Sequence, residues 1–131
     1  MAFRCVVVTP EQQTMDESVT QAIIPAHDGL MGIQTDRAPL LVKLGVGPLR
    51  VDLAGGQSRT YFIDGGIAQM KSNNLTILTN EAIPPENIDA ESARAEFAEA
   101  QARRATDPKT QQEREHAMAR GSMKQKLAAK R

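Results

Sequence analysis

The sequence predicts an all-β N-terminal domain, a sandwich or barrel, followed by a C-terminal antiparallel hairpin of two helices. Three observations predict it. Every proline except Pro108 and every glycine except Gly121 lies before Glu86. Residues before that point fall into short apolar or alternating runs parted by Gly, Asn and Asp turns, the pattern of many short strands rather than a βαβ sheet. Residues after it are rich in Ala, Glu, Gln, Lys and Arg, which favour helix. The paired Pro84-Pro85 ends a strand and cannot sit inside a helix, so it divides residues 1–85 from 86–131.

The strands follow in order. Phe3 to Val8 is apolar and β-branched. Val19 to Ile24 is a second run, closed by Pro25. Ala38 to Leu44 is nearly all apolar, which predicts a strand buried on both faces. Leu49, Val51 and Leu53 alternate with Arg50 and Asp52, so one face is apolar and the other polar. Gly55-Gly56 turns this strand back into Arg59 to Ile63 as a hairpin. Asp64-Gly65-Gly66 leads into Ile67 to Lys71, and Ser72-Asn73-Asn74 into Leu75 to Thr79.

The helices are marked by their ends. Asp89 is an N-cap residue before Ala90. Ala93, Phe97 and Ala100 fall on one face, and Arg103-Arg104 sits in the last turn, where cations suit the helix dipole. Asp107 caps a second helix that begins at Pro108 and runs to about Lys130. Its apolar stripe is thin: Ala119, Met123 and Leu127, with Gly121 weakening the middle.

Composition narrows the function. The 131 residues carry 16 basic and 16 acidic side chains, so the net charge is +0 and a nucleic-acid binder is disfavoured. Aromatics are 3%, too few for a stacking surface. One cysteine, Cys5, excludes an internal disulfide and a cysteine-caged metal. No apolar run approaches a membrane span, and the apolar start is too short for a signal peptide, which points to the cytosol. Residues 1–85 hold eight acids and six bases, residues 86–131 eight acids and ten bases.

Catalytic patterns are missing. His27 precedes Asp28-Gly29 in a turn and His116 lies on a polar helix, so both read as solvated. No Ser sits in a nucleophile elbow, Cys5 lies in an apolar strand, and no His or Cys pair has metal-ligand spacing. Gly45-Val46-Gly47-Pro48 lacks the Lys-Ser/Thr of a phosphate loop. One polar cluster stands out. Arg120, Lys124, Lys126, Lys130 and Arg131 end the chain with no acid among them, suiting either the helix dipole or an acidic partner surface.

The order of motifs says more. Val7-Val8-Thr9-Pro10-Glu11-Gln12 opens the chain, and Gly29-Leu30-Met31-Gly32-Ile33 precedes Ala38-Pro39-Leu40-Leu41. Gly45 to Val51, Gly65-Gly66, Leu75 to Thr79 and then Ile88-Asp89 before an Ala-rich helix complete the series. Along nearly the whole chain this resembles the epsilon subunit of bacterial F-type ATP synthases. The resemblance implies a sandwich of about ten short strands and a regulatory two-helix hairpin. It implies a non-catalytic rotor subunit in the central stalk, which helps couple proton flow to ATP synthesis. The sandwich would grip the gamma subunit and touch the c-subunit ring. The helices would fold down, or extend toward beta and alpha and impede ATP hydrolysis. It also implies a peripheral position on the cytoplasmic face of the inner (plasma) membrane, with no insertion.

The resemblance carries over residue by residue. Gly29, Leu30, Met31, Arg37 and Pro39 match the motif that faces gamma and the c ring. Leu30 stands where the family has Glu, and Arg37 where it has His. Ile88, Asp89, Ser92 and Ala93 match a nucleotide motif, but Ser92 replaces its arginine and Arg94 lies about 200° further round the helix. The expectation is no cofactor, with ATP binding weak. Arg120, Lys124, Lys126, Lys130 and Arg131 match by type the basic residues that approach an acidic loop of beta. A stand-alone nucleotide-sensing module and a small β-sandwich enzyme are the alternative readings. The lost arginine weighs against the first, the missing nucleophile and metal set against the second.

Overall fold

A computed structural model describes residues 2–129. The chain divides into two compact units between Pro84 and Pro85.

The first unit holds nine strands among the described residues: β1 Phe3–Val8, β2 Gln13–Ala26, β3 Gly29–Gln34, β4 Leu40–Lys43, β5 Val46–Leu53, β6 Ser58–Asp64, β7 Ile67–Lys71, β8 Asn74–Leu78 and β9 Ala82–Ile83. Their order is β4-β7-β8-β1-β2-β5-β6-β9, with β3 also on β2. β1 and β8 run parallel, and the other pairs antiparallel. β2 serves both sheets. Residues 13–19 pair with β1, and residues 21–26 pair with β3, with β5 on the opposite edge. The ladder slips between Val19 and Gln21, where the strand changes sheets. Nine strands thereby supply ten sheet segments, five to each layer.

Alternate residues of both layers meet in one core. Cys5, Val7, Met70, Leu75 and Ile77 come from one sheet, and Ala22, Ile24, Ile33, Leu49, Val51 and Ile63 from the other. Each large aliphatic side chain taken out of water contributes about 1.5–3 kcal/mol. Burial, and secondarily the Asp16 charge, pushes the Cys5 thiol up to about 12, so it packs as a hydrophobe. The turn after β6 depends on Gly66, whose φ is +105°. A side chain there would run into the Leu78 carbonyl.

β3 and β9 lie where no strand is read from the sequence pattern, β2 and β5 begin earlier than it predicts, and two further differences have a physical reason. β2 does not end at Ile24 but passes through Pro25 to Ala26. Proline supplies no N–H, but its carbonyl still accepts the Gly45 N–H at 2.8 Å. Ala38 to Leu44 is not a strand buried on both faces. β4 covers only Leu40–Lys43 and alternates, leaving Leu41 68% exposed. It lies at the end of its sheet beside β7 alone, and only its inner face meets the core.

The second unit opens with a 3-10 turn, Pro85–Asn87, followed by α1, Ala90–Ala102, and α2, Pro108–Ala129. Asp89 caps α1 by accepting the Glu91 N–H at 3.0 Å. Asp107 caps α2 by accepting the Thr110 N–H at 2.8 Å, and the Thr110 hydroxyl accepts the Thr106 and Asp107 N–H groups in return. Arg103 is not in the last turn of α1 but just beyond it, as its C-cap, paired with Glu99 at 2.8 Å. Arg114 on α2 donates to the Gln101 carbonyl at 3.0 Å, satisfying that end of α1.

The seam between the helices is not the predicted stripe. Ala119 is exposed and Met123 half-buried, and of the three only Leu127 is buried. The side of α2 against α1 carries Arg114, Arg120, Gly121 and Lys124. Gly121 is a close-approach point: a Cβ there would lie 2.8 Å from the Cβ and backbone nitrogen of Phe97. An apolar-spacing argument misses such a seam, because bases fill the flanking positions.

Candidate functional site

The residues matched to the rotor-facing motif do not form one patch. Gly29 and Leu30 begin β3 at the tip of its hairpin with β2, where Leu30 stands opposite Pro25 and is 66% exposed. Met31 is half-buried and packs against the core. Arg37 and Pro39 are exposed in the loop after β3. About 13 Å of extended strand separates Leu30 from Gln34, and Arg37 lies beyond it. The loop is pinned. Asp36, at φ +65°, donates its N–H to Asn73 Oδ1 at 2.8 Å, and Asn73 Nδ2 donates back to Asp36 Oδ1 at 3.1 Å. Arg37 thus edges a shallow polar depression of about 460 Å³ with Gln21, Gly32, Gln34 and Thr35.

A second surface lies outside the β4-β7-β8-β1 layer. Lys43, Ile67, Leu78 and Val8 stand side by side across these four strands. Leu41, Ile67 and Leu78 are 68%, 42% and 44% exposed. An open, largely apolar depression of about 710 Å³ runs past Val8, Lys43, Ile67, Leu78, Thr79 and Asn80. Sequence reasoning missed this row. Its signal was there: Ile67 and Leu78 are out of phase with the buried Ala68, Met70, Leu75 and Ile77.

The residues matched to the nucleotide motif have local tasks. Asp89 Oδ1 holds the Glu91 N–H, and Oδ2 accepts the Ser92 hydroxyl at 2.9 Å. Ile88 and Ala93 are buried. Arg94 faces solvent and pairs with Glu91 at 3.1 Å.

The basic cluster is split. Arg120 Nε donates to Glu96 Oε1 at 2.9 Å, and Lys124 Nζ to Glu96 Oε2 at 3.2 Å. The two cations are only 17% and 14% exposed in their side chains. Burial pushes the Glu96 carboxyl up, but the hydrogen bonds from Arg120 and Lys124 outweigh this and hold it below its usual range. Lys126 is exposed, and Lys130 and Arg131 lie outside the described residues. Among the described residues no cluster of His, Cys, Asp or Glu could hold a metal, and no helix is long and apolar enough to cross a membrane.

Known proteins are similar to this chain in sequence and fold. Residues 2–85 match the family described as ATP synthase, Delta/Epsilon chain, beta-sandwich domain. The ATP synthase epsilon chain of Rhodopirellula baltica is 42% identical over 100 residues, covering 76% of this chain and 77% of the relative. That of Rippkaea orientalis is 38% identical over 103 residues, covering 79% and 75%. A chain in the OSCP/F1/c-ring structure of the Euglena gracilis mitochondrial ATP synthase aligns with a TM-score of 0.84 at 26% identity, covering 99% of this chain and 82% of that one.

Proposed function

We propose a division of labour for this chain, which belongs to the epsilon-subunit family of F-type ATP synthases: the sandwich fastens it to the rotor and the hairpin regulates hydrolysis. As an epsilon chain it is a non-catalytic subunit. The ATP chemistry belongs to other subunits of the enzyme.

The observation that carries the proposal is the outward apolar pair Ile67 and Leu78 on β7 and β8, with Leu41 one step further along β4, opposite Gln69. Water-facing positions of a sandwich are ordinarily polar, and a contiguous apolar strip favours a partner. The gamma subunit is the occupant: Leu41, Ile67 and Leu78 leave water against it, and Lys43 supplies a charge at the rim. A close-packed sandwich is stiff enough to turn with a shaft under torque. Leu30, at the far end of the β2–β3 hairpin, meets the c ring through an apolar contact, since the acid of the family motif is absent. The subunit then sits peripherally on the cytoplasmic side of the membrane.

The hairpin is the movable arm. Its seam sets Ala93, Phe97 and Ala100 of α1 against Gly121 of α2, flanked by ion pairs that water and partners can compete for. Two arrangements within a few kcal/mol of each other follow from such a contact. Extension would bring α2 toward the acidic surfaces of beta and alpha and slow hydrolysis. ATPase turnover of the reconstituted complex containing gamma tests this. A chain ending at Asp107 lacks α2 and should hydrolyse ATP severalfold faster than the full chain. Equal turnover would remove the regulatory role.

A further inference from the structure

Three carboxylates of α1 are paired, and they are paired differently. Glu91 binds Arg94 and Glu99 binds Arg103 within the same stretch of chain, at three- and four-residue spacing, in pairs that face solvent. Glu96 reaches across to α2 and binds two cations at once, one through each oxygen. Arg120 and Lys124 are one helical turn apart, with Gly121 between them pressed against Phe97, the neighbour of Glu96. The close approach at Gly121 therefore brings the carboxylate within reach of both cations.

We propose that Glu96 is a clasp that masks part of the basic cluster: it ties down Arg120 and Lys124 while the hairpin is closed, releasing them only when α2 leaves α1. The reason is competition for the same charges. Glu96 takes one hydrogen from Arg120 Nε and one from Lys124 Nζ, and its negative charge offsets theirs, so an outside carboxylate meets less net attraction. Both cations are four-fifths or more covered, so an acidic surface cannot reach them past the clasp. Lys126, exposed on the same helix, is outside this control. The hairpin therefore presents a weak basic surface when closed and a stronger one when open. Unclasping is a toll on opening, and the charge it uncovers rewards docking on an acidic partner.

Amine acylation of the full chain tests this, because Lys124 and Lys126 lie two residues apart and differ in the clasp. The probe is the N-hydroxysuccinimide ester of acetic acid, with labelling at each lysine read by mass spectrometry. In the unaltered chain Lys124 should react about tenfold more slowly than Lys126, the factor expected for a charged hydrogen bond of modest strength. Glu96→Gln should bring the two rates within about threefold, while Glu99→Gln, the same charge change on the same helix, should leave the ratio alone. The helical circular-dichroism signal reports whether the variant hairpin stays folded. Should it fall, the unaltered chain decides: concentrated salt must raise Lys124 labelling relative to Lys126, because screening loosens the clasp. An unchanged ratio in Glu96→Gln, an equal effect of Glu99→Gln, or a ratio indifferent to salt would overturn the clasp.

Discussion

Gly121 changes meaning between sequence and structure. In the sequence it reads as a flaw worth roughly 1 kcal/mol in the middle of a helix. In the fold it is the point where α2 touches the backbone of α1 at Phe97. Gly121→Ala gains helix propensity but drives a methyl group into backbone that cannot swing aside, and overpacking of this kind costs about 1–3 kcal/mol. Amide exchange in α1 and α2 should therefore quicken, and slower exchange would contradict the close contact. Glu96 makes a second prediction. Its folded carboxyl is held below 4.5, so its contribution to the closed hairpin is whole above that value and is lost as pH falls through the lowered one. Acid titration of amide exchange in α2 should show that loss in the unaltered chain, and Glu96→Gln should lack it. Local rules made the caps Asp89 and Asp107 legible, because each works within three residues. Gly121 and Glu96 were illegible, because each takes its role from the other helix.

At the scale of elements, alternation located β5, β7 and β8 closely, since each has a wetter and a drier face, and the flanking glycine turns located β6, in which Tyr61 to Asp64 are all buried. β2 and β4 were misread for opposite reasons. Pro25 looked like a stop, but a strand that needs only a carbonyl at that position runs through it. The run from Ala38 to Leu44 looked doubly buried, because an outward leucine in a continuous apolar stretch cannot be told from an inward one. The first turn of α1 carries the nucleotide prediction. Asp89 and Ser92 hydrogen-bond each other, and Arg94 pairs outward with Glu91. A phosphate arriving there lacks the charged partner of the family motif, which removes roughly 1.5–3 kcal/mol, or about ten- to a hundredfold in affinity. Calorimetric titration with ATP should give a dissociation constant in the millimolar range or weaker. A micromolar value would show that another cation serves the nucleotide, and Ser92→Arg should tighten binding if the pocket otherwise survives.

At the scale of the whole molecule, the order of short motifs identified the family, and the two-part architecture follows from where proline and glycine stop. The partner surface was less legible than the fold. The sequence motif pointed to Leu30 and Arg37, which lie at opposite ends of β3. Three of the exposed large apolar side chains, Leu41, Ile67 and Leu78, come from three strands and share a face only once these pair. The central claim is that this row seats the chain on gamma. Its most direct test is the equilibrium affinity of the full chain for gamma from the same cell, measured for the unaltered chain and for Leu41→Glu, Ile67→Glu and Leu78→Glu combined. These positions face water in the free chain, so the variant should fold, as its thermal transition will report. Losing three apolar contacts of about 1 kcal/mol or more each, and burying charge in their place, should weaken binding at least about a hundredfold. A folded variant that binds gamma as tightly as the unaltered chain would contradict the account.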